Sequence, residues 1–141
     1  MLIRRSFIEQ GGRFDENYHL YCEDADLCVR ARRAGLRTVE VAAARAWHKG
    51  YGSARAGSPL KTYYGLRNRL YFIARHAPRE NRWRLRAQLL IFDAGGQALR
   101  ALGRMARGDA GEGWRQVRAL GRALAEWSRG RRGRGHRWLC P

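Results

Sequence analysis

The sequence predicts an α/β arrangement in its first part, followed by an α-helical, basic extension. Three observations carry this. A helical pattern over Glu23 to Ala34 is followed at once by an alternating stretch, Leu36 to Ala43. From Leu60 onward the apolar residues recur at helical spacing instead. The charge divides along the same line: residues 1–50 carry nine basic and seven acidic side chains, a net of +2, whereas residues 51–141 carry twenty and five, a net of +15. We therefore divide the chain into 1–58, 59–129 and an Arg/Gly-rich tail at 130–141, which the composition predicts to be disordered.

Taken in order, residues 2–10 read as a short helix around Phe7 and Ile8, stopped by Gly11-Gly12. The loop Phe14-Asp15-Glu16-Asn17 follows, with Phe14 as an expected anchor into the core. Glu23 to Ala34 has acidic residues in its first turn and Arg30, Arg32 and Arg33 in its last, the distribution the helix dipole favours. Gly35 stands where a left-handed C-terminal residue belongs. Leu36 to Ala43 places Val39 and Val41 on one side and Thr38 and Glu40 on the other, which predicts a short strand. A Gly/Ser-rich loop spans Lys49 to Pro59. Three helices are predicted beyond it: Leu60 to just before Pro78, Arg79 to Arg107 with a weak point at Gly95-Gly96, and Glu112 to Arg129. In the last of these, Trp114, Val117, Leu120, Leu124 and Trp127 recur at spacings of three and four.

Composition limits the function classes. Of the 29 basic residues 27 are Arg, a bias that codon usage alone can produce, so the excess is weak support for phosphate binding. Cys22, Cys28 and Cys140 are too few and too irregular for a disulfide framework or a zinc site, and a reduced, intracellular setting fits them. No apolar run approaches the roughly 20 residues that a membrane span needs. Nor does an apolar core follow Met1 to Arg5, as a signal peptide would require.

Three stretches carry chemistry. Glu23, Asp24 and Asp26 put three carboxylates into four positions. They can be helix-dipole compensation, or a general base whose neighbours raise its pKa toward its working range. His48, beyond the expected strand, can be an ordinary strand-end histidine or can share a divalent-metal site with a carboxylate. Tyr63, Arg67 and Asn68 belong either to a core-facing aromatic helix or to a polar rim that meets a phosphate or an acceptor. Trp114 and Trp127, with arginines between them, allow either helix packing or an interfacial membrane contact.

Taken together, these residues resemble a known family. Gly12-Arg13-Phe14-Asp15-Glu16, Tyr21-Cys22-Glu23-Asp24-Ala25-Asp26-Leu27, Ala34-Gly35, Ala46-Trp47-His48, Tyr63-Tyr64 and Arg67-Asn68 follow the order of the C-terminal half of a family 2 glycosyltransferase of the rhamnosyltransferase-like kind, over residues 1–75. The resemblance implies that residues 1–58 are the acceptor-side half of a GT-A, Rossmann-like domain, truncated at the N-terminus. It implies an inverting transfer from a nucleotide-sugar donor to a glycan or lipid-linked acceptor. Asp24 matches the catalytic base, and Glu23 and Asp26 match neighbours that shape the acceptor site. His48 matches the histidine that completes a magnesium or manganese site, whose Asp-x-Asp partner this chain lacks. Asp24-Ala25-Asp26 has that spacing but sits in the base motif.

On this reading the chain alone is inactive, no cofactor is certain for it, and its basic helices rest on an anionic membrane, placing it in the cytoplasm at the inner face of the cell membrane. The rival class is a basic helical nucleic-acid-binding module, argued from the +15 part and the Arg/Gly tail. Against it, the acidic turn has no role on nucleic acid, so nucleic acid is not the expected partner.

Overall fold

The computed structural model describes residues 1–47 and 58–135. Six α-helices are present among them: α1 (Arg5–Glu9), α2 (Glu23–Arg33), α3 (Pro59–His76), α4 (Arg82–Gln88), α5 (Gly95–Ala106) and α6 (Ala110–Ser128). A 3-10 turn (Arg79–Asn81) leads into α4, and a π-helical stretch (Leu89–Ala94) joins α4 to α5.

The α/β expectation is overturned: among the described residues there is no strand. Leu36 to Ala43 does alternate, but it meets no second strand, so its amide and carbonyl groups have no ladder to join. Val39 and Val41, the expected inner face, are exposed. The GT-A, Rossmann-like assignment is withdrawn with the strand, because a sheet is its defining layer.

The helices form where local chemistry starts and stops them. Ser58 caps α3 by accepting from the Lys61 amide at 3.3 Å, and Pro59 takes the first helical position, where its missing N–H costs nothing. Asp109 caps α6 by accepting from the Glu112 amide at 3.3 Å. Gly35 follows α2 at φ +79°, a left-handed value that a side chain would strain. Gly12 after α1 is fixed by contact instead: a Cβ there would collide with the Phe7 ring.

The core is a bundle of α3, α5 and α6. Tyr63, Tyr64, Leu66 and Leu70 of α3 pack on Ala119, Leu120 and Ala123 of α6, with Ala101 of α5 also buried. The small residues of α6 let the helices approach closely, so the expected stripe is displaced. Of Trp114, Val117, Leu120, Leu124 and Trp127, only Leu120 is buried in this cluster, and Trp114 is mostly exposed. The N-terminal part adds Phe7, Tyr18 and Leu27, all buried. Phe14, the expected anchor, is half exposed.

The described part of the tail, residues 130–135, makes hydrogen bonds to the rest of the chain. The Gly133 amide donates to the Asn17 carbonyl at 2.7 Å, and the Gly135 amide donates to the Tyr64 hydroxyl at 2.8 Å. Residues 130–135 thus lie against α3 and the loop before α2. No helix of the described residues is long and apolar enough to cross a membrane.

Candidate active site

The acidic turn is entered through strained backbone. His19, Tyr21 and Cys22 all adopt positive φ, of 61°, 65° and 70°. For residues with a Cβ, such conformations cost on the order of 1–3 kcal/mol each and persist only where surrounding structure imposes them. Here Asn68 imposes them. Its buried side-chain amide, reaching across from α3, donates to the carbonyls of Tyr18, Leu20 and Tyr21, the last at 3.1 Å. Cys22 serves as the N-cap of α2 without a side-chain cap bond, and burial pushes its thiol pKa up to about 11.

The three carboxylates that follow have different fates. Asp26 is 0% exposed. It bonds His76 Nε2 at 2.6 Å and accepts from Arg30 Nε at 2.7 Å, and Arg75 Nε lies 3.6 Å away. Burial alone would raise its pKa. The hydrogen bonds from His76 and Arg30, with the charges of Arg30 and Arg75, more than offset this and hold the carboxyl below its ordinary value. The same buried site pushes the Tyr18 phenol far above its usual range, through burial and then the Asp26 charge. Asp24 is exposed, and its Oδ1 accepts from the adjacent Ala25 amide, at 2.7 Å. Glu23 is intermediate: it lines a cleft, and its Oε2 is buried without a hydrogen-bond partner.

That cleft, of about 700 Å³, is bounded by Phe14, Asp15, Asn17, His19 and Glu23, with Arg134 of the tail at its edge. Burial, then the nearby Arg134 and Arg67 charges, lower the His19 pKa, which keeps its ring neutral at physiological pH. A wall of carboxylate, amide and imidazole groups beside the half-exposed Phe14 ring offers hydroxyl partners and an apolar face together.

Tyr63, Arg67 and Asn68 lie inside the bundle and not on an open rim. Tyr63 and Asn68 are as buried as Arg67, which is 1% exposed. Arg67 donates to the Tyr63 hydroxyl at 2.9 Å and to the Gly133 carbonyl at 2.7 Å, and it lies 3.7 Å from Glu126. Tyr63 also bonds Glu126, and burial with that carboxylate raises the phenol's pKa. These residues tie α3 to α6 and to the tail, and Asn68 positions the acidic turn.

His48 lies outside the described residues. Among those described, no group of three or more His, Cys, Asp or Glu side chains converges as a metal site. Asp26 is committed to His76, Arg30 and Arg75, and Asp24 points to solvent, so the acidic turn does not fit a magnesium or manganese ion as it stands.

Sequence reading missed His76, Arg75 and Asn68 as partners of the turn. Asn68 was singled out, but for another role. The signal for His76 and Arg75 is weak: two basic residues in the last turn of α3 read as dipole compensation, and only the docking of α2 reveals their partner.

The sequence is similar to two named rhamnosyltransferases. The chain is 34% identical over 82 residues to the rhamnosyltransferase WbbL of Escherichia coli, a match covering 58% of this chain. It is 34% identical over 97 residues, 64% of this chain, to the N-acetylglucosaminyl-diphospho-decaprenol L-rhamnosyltransferase of Mycobacterium tuberculosis. The sequence is rhamnosyltransferase-like. Each match covers 31% of the relative, so this rhamnosyltransferase-like chain spans about a third of their length. No family model and no solved structure matches it.

Proposed function

We propose that this rhamnosyltransferase-like chain supplies the acceptor side of a glycosyl transfer, with Asp24 as general base. In this reading the acceptor hydroxyl gives its proton to Asp24 while its oxygen attacks the anomeric carbon of a nucleotide-sugar. The nucleoside diphosphate leaves with the bonding electron pair, and the configuration inverts. The observation that carries the choice is the contrast within the turn. Asp26 is sealed and held ionised by three basic groups, which makes it a poor proton acceptor, whereas Asp24 is exposed and follows Glu23, which lines the cleft. The partnerless Glu23 Oε2 supports a neighbouring role in accepting an acceptor hydroxyl. Because the chain spans about 31% of its relatives, donor binding and turnover would belong to a longer protein that carries this segment.

The mycobacterial relative is named for a diphospho-decaprenol acceptor, which makes a lipid-linked glycan the acceptor class to test first. Transfer of labelled rhamnose from a nucleotide-rhamnose to an N-acetylglucosaminyl diphosphate lipid should be lost in Asp24→Asn of the longer protein while donor binding persists. Substantial remaining turnover would remove Asp24 from the role.

We further propose a membrane contact, on a different face from the one that sequence spacing suggested. Along the path from α4 to α5, Ile91, Phe92, Leu99 and Leu102 are exposed, Phe92 to 76% and Leu99 to 71%. Residues 82–106 carry five arginines, of which Arg100 and Arg104 line the cleft between α3, α5 and α6 and Arg86 packs over Trp127, and one carboxylate, Asp93, which pairs with Arg69. A second copy would set arginine against arginine, whereas an anionic lipid surface complements both the charge and the apolar stripe. We therefore place the membrane on this face. Flotation with phosphatidylglycerol-containing vesicles should recover the chain, and Phe92→Ser/Leu99→Ser should reduce recovery at least tenfold. Equal recovery by the variant, or on purely zwitterionic vesicles, would contradict the assignment.

A further inference from the structure

A second cleft, of about 510 Å³, opens between α3, α5 and α6. Its walls carry Lys61, Arg69, Arg100 and Arg104. Two of these have carboxylate partners: Arg69 pairs with Asp93, and Arg104 lies 3.9 Å from Glu112, which Arg115 also holds at 2.7 Å. Among the described residues Lys61 and Arg100 have no carboxylate partner, so the cleft keeps a surplus of positive charge. At its floor a polar chain crosses the bundle. Gln116 Nε2 donates to the Thr62 hydroxyl, which donates to Gln97 Oε1 at 2.6 Å. The other end of that chain is open: Gln116 Oε1 is buried and has no partner. At the rim stand Tyr21 and Cys22, the residues immediately before Glu23 and Asp24.

An unpaired cation pair calls for an anion, and a buried acceptor without a donor calls for an O–H or N–H group. A molecule that satisfies both carries phosphate and a hydroxyl- or amide-bearing sugar. We propose that this cleft binds the diphosphate of a glycosyl diphosphate, with Lys61 and Arg100 on the phosphates and Gln116 Oε1 accepting from the sugar. A ligand seated there lies against the Tyr21-Cys22 rim, which leads directly into the acidic turn. The assignment rests on the glycosyl-transfer reading for its choice of sugar diphosphate. The charge and the open acceptor stand without that reading. Diphosphate chemistry is shared by a lipid-linked acceptor and a nucleotide-sugar donor, and the test separates them.

The test is calorimetric titration of the chain with four probes: a short-chain alkyl N-acetylglucosaminyl diphosphate, the alkyl N-acetylglucosaminide without phosphate, a nucleoside diphosphate, and inorganic pyrophosphate. The alkyl diphosphate should bind at least tenfold more tightly than the phosphate-free glycoside. Lys61→Gln/Arg100→Gln, both exposed positions, should weaken it at least tenfold with an unchanged circular dichroism spectrum. Gln116→Leu should weaken the sugar diphosphate but not inorganic pyrophosphate. Tighter binding of the nucleoside diphosphate, lost in the same double variant, would keep the site and assign it to the donor. Equal affinity for the phosphate-free glycoside, or binding that ignores the double variant, would overturn the site. Those failures would leave the role of Asp24 standing, because Asp24→Asn is read by transfer and not by this titration.

Discussion

The two halves of this molecule are held together by different physics. The bundle of α3, α5 and α6 closes over apolar side chains and small residues, with Leu70 and Tyr63 fully buried. The segment before it, residues 1–47, contributes little apolar core and is fastened by polar groups: Asp26 to His76 and Arg30, Asn68 to three carbonyls, Arg33 to the His76 carbonyl at 3.2 Å. Apolar packing is non-directional and tolerates approximate placement, whereas a hydrogen-bonded hub fixes orientation. The difference places stability in the bundle and positional accuracy in the turn that presents Asp24.

Changes that break this contrast can be ranked. Leu70→Ala should cost about 3–4 kcal/mol of unfolding free energy, the cavity cost of a fully buried Leu, with little dependence on pH, as read by urea denaturation. Asp26→Asn should cost about 3 kcal/mol at neutral pH, because it leaves Arg30 and His76 facing a buried, uncharged group. Its effect should depend on pH with a definite sign. The folded pKa of Asp26 lies below the unfolded value of about 4, so its stabilisation is present above that value and lost as pH falls through the folded one. Wild type should therefore lose stability on acidification where Asp26→Asn changes less. Asn68→Ala should cost about 2 kcal/mol and loosen the backbone from His19 to Cys22, seen as faster amide exchange there. Gly35→Ala, at φ +79°, should cost about 1 kcal/mol, although its Cβ would enter open space.

What could be read in advance follows the same division. Helices α2, α3 and α6 were legible because periodicity, caps and end charges are local signals: the acidic first turn of α2, Ser58-Pro59, and Gly35. The strand at Leu36–Ala43 was misread because alternation describes a side-chain pattern and says nothing about whether a partner edge exists. The acidic turn was legible as a cluster of carboxylates, but their different environments were not. Glu23, Asp24 and Asp26 are near-equivalent in sequence, and only the docking of α3 separates them, burying Asp26 against His76 and leaving Asp24 in solvent. Arg67 and Asn68 show the reverse case. Their sequence left a core-facing helix and an outer rim both open, and their side chains bond inside, to Tyr63, Gly133 and the carbonyls before α2.

The central claim is that the turn holds one carboxylate for structure and another for chemistry. It is tested most directly by placing Asp24→Asn and Asp26→Asn side by side in the longer protein, with thermal unfolding and rhamnosyl transfer measured on both. Asp24→Asn should leave the melting temperature within a degree or two and lower transfer about a thousandfold, the scale of a lost general base. Asp26→Asn should lower the melting temperature clearly, with transfer recovering toward wild type at temperatures where the variant is still folded. An Asp24→Asn variant that transfers normally, or an Asp26→Asn variant that is fully stable yet inactive, would reverse the two roles and contradict the account.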